Sequence, residues 1–323
     1  MNSTPTSEMT PEESRTLEQM DMFLPFIRIA VLIITFFGCF LGNLFLFINC
    51  NAMKRKKLLS EAFSEHMKIL AIADFNSGAF DAIVSFFLPT YFDIHIKGYS
   101  SFSCAVALYQ DKGSTRLAGL ILCLVSIDRL ISLLLPIKYK LISTAKTARC
   151  IAFAFFIFIY LVMSPYLYFA HLKSSTQCIT KAVGMDAFLN AFNYFSDWIL
   201  LFAFPSVMIS SINTVIMAMI VKRALKNKSE IGVKERNAVI LLISASIVYL
   251  CCTFGISNMN DYWVFDPTKI SAEYYSKRMK FIRALGDFFT VTNNSINFYI
   301  FLLNGAFRNN FLEIVRRKIF FMK

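Results

Sequence analysis

The chain has 323 residues, of which 56% are hydrophobic and only 17% charged, with 35 Phe and a formal net charge of +12. Soluble domains carry about 25% charged residues, so this composition, with a mean hydropathy of +0.55, excludes an ordinary soluble globule and points to a membrane protein. A basic excess also suits nucleic acid, but the Lys and Arg residues lie between apolar runs with no Cys/His zinc spacing or RNA-binding aromatic signature, so no nucleic-acid partner is expected.

Residues 1–22 are rich in Ser, Thr, Pro and Glu and read as a short disordered extracellular tail, with a glycosylation sequon at Asn2-Ser3-Thr4. Seven apolar runs follow, at about 23–50, 66–92, 101–135, 147–170, 188–221, 238–258 and 279–303. Each reaches the roughly 20 residues that a helix needs to cross a bilayer. The first run is too long for a cleavable signal peptide and is expected to act as its own insertion signal. The expected fold is therefore all-α, a seven-transmembrane helix bundle over 23–303, closed by a short amphipathic eighth helix and cytoplasmic tail over 304–323.

The gaps between runs alternate in charge. One set holds Lys54-Arg55-Lys56-Lys57, then Lys138, Lys140, Lys146 and Arg149, then Lys222, Arg223, Lys226, Lys228, Lys234 and Arg236, and finally Arg308, Arg316, Arg317 and Lys318. The other set is acidic or mixed, with Glu8, Glu12, Glu13, Asp21, Asp93, Asp186, Asp261, Asp266 and Glu273 beside scattered Lys. Basic loops stay in the cytoplasm. The amino terminus is thus placed outside and the carboxyl terminus inside, as seven crossings require, in the plasma membrane.

Cysteines sort by the same compartments. Only Cys104 and Cys178 fall at external positions, where an oxidising environment favours a disulfide, and the alternative is a pair of free thiols. Ionisable residues inside a membrane are expensive and mark function or an internal partner. The third run carries Asp111 near one end and Asp128-Arg129 at the other, about 27 Å apart along a helix and so close to the thickness of a hydrocarbon core. Asp81, Asp111, Asp197 and Asp287 fall in the outer halves of four runs. Isolated carboxylates there need a cation, either an internal one such as Lys112, Arg116 or Arg283, or one supplied by a ligand.

Several ordered motifs carry a resemblance. Gly42-Asn43 stands in the first run, Leu70-Ala71-Ile72-Ala73-Asp74 in the second, and Cys104 with Asp128-Arg129-Leu130 in the third. Pro205 follows in the fifth, Asn297-Phe298-Tyr299-Ile300-Phe301 in the seventh, and Phe307-Arg308 with Phe311 just beyond. In this order the set resembles rhodopsin-like (class A) G-protein-coupled receptors over about 25–317. The string Asn294-Ser295-Ile296-Asn297-Phe298-Tyr299 resembles invertebrate FMRFamide-type peptide receptors. The departures are a missing fourth-helix Trp, Leu130 after Arg129, Asn213 at the position of the usual fifth-helix Tyr, and Cys251-Cys252-Thr253-Phe254-Gly255 where Cys-Trp-x-Pro is common.

The resemblance implies a G-protein switch at Asp128 and Arg129, and a polar activation core of Asn43, Asp74, Asn293 and Asn297 holding water or a sodium ion. No other cofactor or metal is expected. It also implies a heterotrimeric G protein as the inner partner and an extracellular ligand as the outer one. With Asp81, Asp111, Asp197 and Asp287 lining the outer site, a cationic peptide is the expected ligand. Asp197 and Trp198 replace the small hydroxyl residues that catechol recognition requires. The alternative is a chemosensory receptor of the same fold for a small molecule or amine. Residues 281–303 hold no Lys for a Schiff base, and no catalytic motif appears, so neither an opsin nor an enzyme is expected.

Overall fold

The computed structural model describes residues 10–56, 59–80, 83–84, 87–174, 177–180, 185–227, 243–254 and 272–320. The longest helix, α1, spans Pro11–Arg55. It begins with a capping box: the Thr10 hydroxyl accepts from the Glu13 amide at 3.2 Å, and the Thr10 amide donates to Glu13 Oε2 at 2.8 Å. Pro11 at the first helical position costs nothing, because its missing N–H would be unpaired there. The expected disordered tail over 1–22 is therefore helical from Pro11 onward. The cap starts the helix, and burial of Leu17 with an Asp21–Lys277 ion pair at 3.2 Å ties it down.

Helix α2 spans Glu61–Phe80, and α3 spans Ser101–Leu134 behind a Ser100–Ser103 capping box. A short helix, Pro136–Ile142, turns the chain into α4, Ala145–Met163, whose Thr144 cap accepts from the Thr147 amide. A two-stranded antiparallel hairpin follows, β1 (Ala170–Ser174) with β2 (Gln177–Thr180). Helix α5 opens as Asp186–Tyr194, widens into a π-helical stretch at Phe195–Ala203 and continues as Phe204–Asn227. The described part of α6 is Ile243–Phe254. Helix α7 spans Ala272–Leu302 and α8 spans Gly305–Phe320.

Among the described residues, four helices are long and apolar enough to cross a membrane by composition alone: α1, α3, α4 and α5. Helix α2 reads as less apolar because it carries Glu61, Glu65, His66, Lys68 and Asp74, and most of these face inward. Helix α3 is the hub, packing against α2, α4 and α5 around Ile121, Leu120 and Val125. By contrast α4 leaves Phe153, Phe156, Phe158 and Leu161 exposed, as a lipid-facing helix should. Helices α1 and α7 approach closely because residue 38 is glycine; a Cβ there would overlap the Ser295 side chain and lie 3.3 Å from Ser295 Cα. Helix α8 docks through Phe307, which is buried beside Phe298 and Phe301. The Asn49 amide donates to the Phe307 carbonyl at 3.0 Å and accepts from Asn310.

Candidate functional site

Three polar clusters lie along the bundle, at its outer end, middle and inner end. At the outer end Cys104, in the first turn of α3, forms a disulfide with Cys178 of β2, with Cα atoms 5.5 Å apart. The hairpin is thereby tied to the mouth of the bundle, and the paired reading of the two cysteines is the one observed.

The outer carboxylates do not behave alike. Asp197 sits in the widened stretch of α5 and is buried. Lys112 Nζ donates to its two oxygens at 3.0 and 3.1 Å, and the Arg116 guanidinium contacts it directly. Arg116 also donates to Ser196 Oγ at 3.0 Å and to the Lys112 carbonyl at 3.0 Å, which fixes the guanidinium between α3 and α5. Asp197 is thus neutralised from within. Asp111 is different: among the described residues it pairs with Lys97 at 3.9 Å, and both side chains are 25% exposed. Asp287 is half-buried on α7. Asp81 lies outside the described residues, as does Gly255.

In the middle, Asp74 is buried and accepts from Asn297 Nδ2 at 2.6 Å. Asn43 Nδ2 donates to the Asn294 carbonyl at 2.9 Å and to the Cys39 carbonyl at 3.2 Å. Asn294 Nδ2 donates to Ser77 Oγ at 3.0 Å, and Ser77 pairs with Thr115 at 3.1 Å. The structure brings Asn43, Asp74 and Asn297 into this buried middle region together with Asn294. Asn293 is only half-buried and, among the described residues, makes no hydrogen bond within the network. Helical spacing carried the missed signal: Asn294 precedes Asn297 by one turn, and Ser77 follows Asp74 by one turn. Among the described residues, Asn43 Oδ1 and Asn294 Oδ1 are buried acceptors with no donor. A carboxylate, amide oxygens and hydroxyls form the all-oxygen donor set that hard cations take, so the residues present fit sodium.

Between the middle and the outer cluster, Tyr249 of α6 donates to the Leu201 carbonyl at 2.7 Å. Residue 119 is glycine, and a Cβ there would come within 2.6 Å of the Tyr249 hydroxyl. Lower down, Asn213 Nδ2 donates to Ser246 Oγ at 2.6 Å. Two side-chain hydrogen bonds thus join α5 to α6.

At the inner end Arg129 donates to Asp128 Oδ2 at 3.3 Å and stacks 3.4 Å from the centre of the Phe63 ring. Asp128 is buried and also accepts from the Tyr139 hydroxyl at 2.9 and 3.1 Å and from Ser143 Oγ at 3.1 Å. Ser60 Oγ bridges this group, 3.1 Å from the Tyr139 hydroxyl and 3.5 Å from Arg129. Burial raises the affinity of the Tyr139 phenol for its proton, so it remains a donor at neutral pH. The sequence shows the contiguous Asp128-Arg129 pair but does not join Ser60, Phe63, His66, Tyr139 or Ser143 to it. Tyr139 and Ser143 stand 11 and 15 residues from Asp128, and only the fold of the intervening loop brings them back.

A helical bundle with a hairpin stapled across its outer mouth, a polar middle and a held Asp-Arg pair at its inner end is a transmembrane receptor. A family model described as 7 transmembrane receptor (rhodopsin family) matches residues 42–300, and the chain belongs to that family. It is a G-protein-coupled receptor of seven transmembrane helices, with a ligand and a heterotrimeric G protein as partners. A search among curated proteins found no match to the chain.

Proposed function

We propose that the receptor lies in the plasma membrane with its amino terminus outside and binds a cationic peptide through Asp111. The observation that carries this reading is the Lys97–Asp111 pair, at 3.9 Å with both side chains 25% exposed. A loose, partly solvated pair contributes about 0–1 kcal/mol, so an incoming cation can displace Lys97. Asp197, buried between Arg116 and Lys112, has no such vacancy for a ligand. The basic inner loops support the orientation, and the likeness of the Asn294–Tyr299 string to FMRFamide-type receptors supports a peptide. At the inner end Asp128 holds Arg129 until a G protein engages it.

Second-messenger output is the direct test. Amidated Arg-containing peptides, their uncharged citrulline analogues and a panel of apolar odorants are applied to cells expressing the chain. A response to the cationic peptides alone is expected. A response confined to odorants would reject the peptide reading and favour the small-molecule receptor.

The middle cluster is proposed to hold one sodium ion through Asp74 with Asn43 and Asn294. Raising sodium while potassium is lowered at constant ionic strength should slow thermal unfolding of the purified receptor, and Asp74→Asn should abolish the difference. Equal sodium stabilisation of wild type and Asp74→Asn would place the ion elsewhere.

A further inference from the structure

Beside the Asp128–Arg129 pair lies a histidine that no hydrogen bond explains. His66 of α2 is 6% exposed, and neither ring nitrogen has a hydrogen-bond partner among the described residues. Its Nδ1 is 3.7 Å from Asp128 Oδ1. That is too long for a hydrogen bond, yet one small side-chain shift would close it. Buried imidazoles left dry on both nitrogens are costly, and native proteins keep such a group when another state uses it or a water serves it.

We propose that His66 is a positioning residue for the inner switch, the partner to which Asp128 passes when Arg129 is released, with uptake of one proton from the cytoplasmic side. The proposal rests on Asp128 and Arg129 being that switch. In the observed state Arg129 donates to Asp128 Oδ2, and Tyr139 and Ser143 donate to Oδ1. Burial disfavours a charged ring at His66, and the nearby guanidinium adds repulsion that offsets part of the pull of Asp128, so the ring stays neutral. When Arg129 leaves, the buried carboxylate keeps its neutral donors but loses its counter-charge. A proton from cytoplasmic water then adds to the imidazole, whose N–H donates to Asp128 Oδ1. Arg129 keeps its own proton throughout, so one proton is gained and no other bond changes.

The charged and titratable groups facing His66 are consistent with this. Asp128 and Arg129 come from α3 and Tyr139 from the short helix Pro136–Ile142. On α2 its neighbour Glu65 is already engaged by Lys54 of α1 at 3.1 Å and by Lys68 at 2.7 Å. Asp128 is therefore the carboxylate left to receive a proton-bearing His66.

The sign follows from linkage. The switched state binds the proton more tightly than the resting state, so acidification favours switching, and the gain is lost as pH rises through the switched-state value. Imidazole is the side chain whose ordinary range, near about 6.5, lies within cellular pH, so the slope is sought on both sides of it. One proton limits the effect to about tenfold per pH unit.

The test is agonist-free nucleotide exchange on a panel of purified G-protein heterotrimers, with the receptor in lipid nanodiscs, from pH 6 to 8. Wild type should exchange faster as pH falls, after subtraction of receptor-free controls. His66→Gln should fold, lose the slope and exchange slowly at every pH. His66→Arg, a cation at every pH, should restore fast exchange without a slope. Asp128→Asn should exchange fast throughout, because Arg129 is unheld. A flat wild-type profile, or a His66→Gln slope equal to wild type, overturns the role of His66. If Asp128→Asn leaves exchange at the wild-type level, the switch reading itself fails.

Discussion

Asp197→Leu should all but remove the receptor from the cell surface, and Arg116→Met should do less harm. The ordering follows from the charge count at the outer cluster. Asp197 serves two cations, Arg116 by direct contact and Lys112 at 3.0 Å. Removing it takes from Arg116, only 2% exposed, the carboxylate that its guanidinium contacts directly. Breaking a buried pair from one side costs about 3–5 kcal/mol, a large part of the roughly 5–15 kcal/mol that holds a domain folded. Removing Arg116 instead leaves Asp197 with Lys112, which is 21% exposed and reaches solvent, so the cost should fall toward the lower end. The double variant Asp197→Leu/Arg116→Met removes one charge of each sign and should recover surface expression relative to Asp197→Leu alone. Cell-surface staining and thermal unfolding of the purified variants measure this. If Asp197→Leu reaches the surface normally, the cluster is not holding α3 to α5.

What the sequence made legible was whatever has a periodic or compartmental signature. The apolar runs, the charge alternation of the loops and the two external cysteines depend on local composition, so the bundle and the Cys104–Cys178 bond were readable in advance. The helical start of the chain at Pro11 was not. Residues 11–22 look polar and Pro-containing, yet Thr10 and Glu13 form a capping box and Leu17 finds a buried seat. A capping pair is visible in sequence, but the surface that receives Leu17 is not. The functional clusters divide in the same way. Asp128-Arg129 is contiguous and was found. The Tyr139, Ser143 and Ser60 groups that satisfy Asp128 come from a loop and a second helix, so spacing along the chain says nothing of them. Asn293 and Asn294 lie about 100° apart around α7, one residue of helical rotation, and it is Asn294 that reaches Asn43 and Ser77. The fates of Asp197 and Asp111 were left open between an internal cation and a ligand, and three-dimensional contact separated them: Lys112 and Arg116 both turn to Asp197.

That separation gives Asp111 a sharper expectation than the other outer carboxylates. Asp111→Asn should move the dose-response curve of a cationic agonist to higher concentration, while Asp93→Asn should leave it in place. Losing a charge partner at a binding site costs about 2–5 kcal/mol. Because Asp111 is 25% exposed, the lower end applies, a shift of about 30-fold. Asp93 is the proper control. Its side chain is 96% exposed, where solvent and salt screen it. Its backbone is left-handed at φ 55°, a conformation that asparagine tolerates well, so the substitution adds little strain. Lys97 supplies a second arm. If it competes with the ligand for Asp111, Lys97→Ala should shift the curve the other way, to lower concentration, and the Lys97→Ala/Asp111→Asn double variant should resemble Asp111→Asn alone. Curves are compared after normalisation to surface expression. An Asp111→Asn curve that coincides with wild type would show that the carboxylate serves only to anchor the Lys97 loop, and the ligand's cation would have to be sought at Asp287.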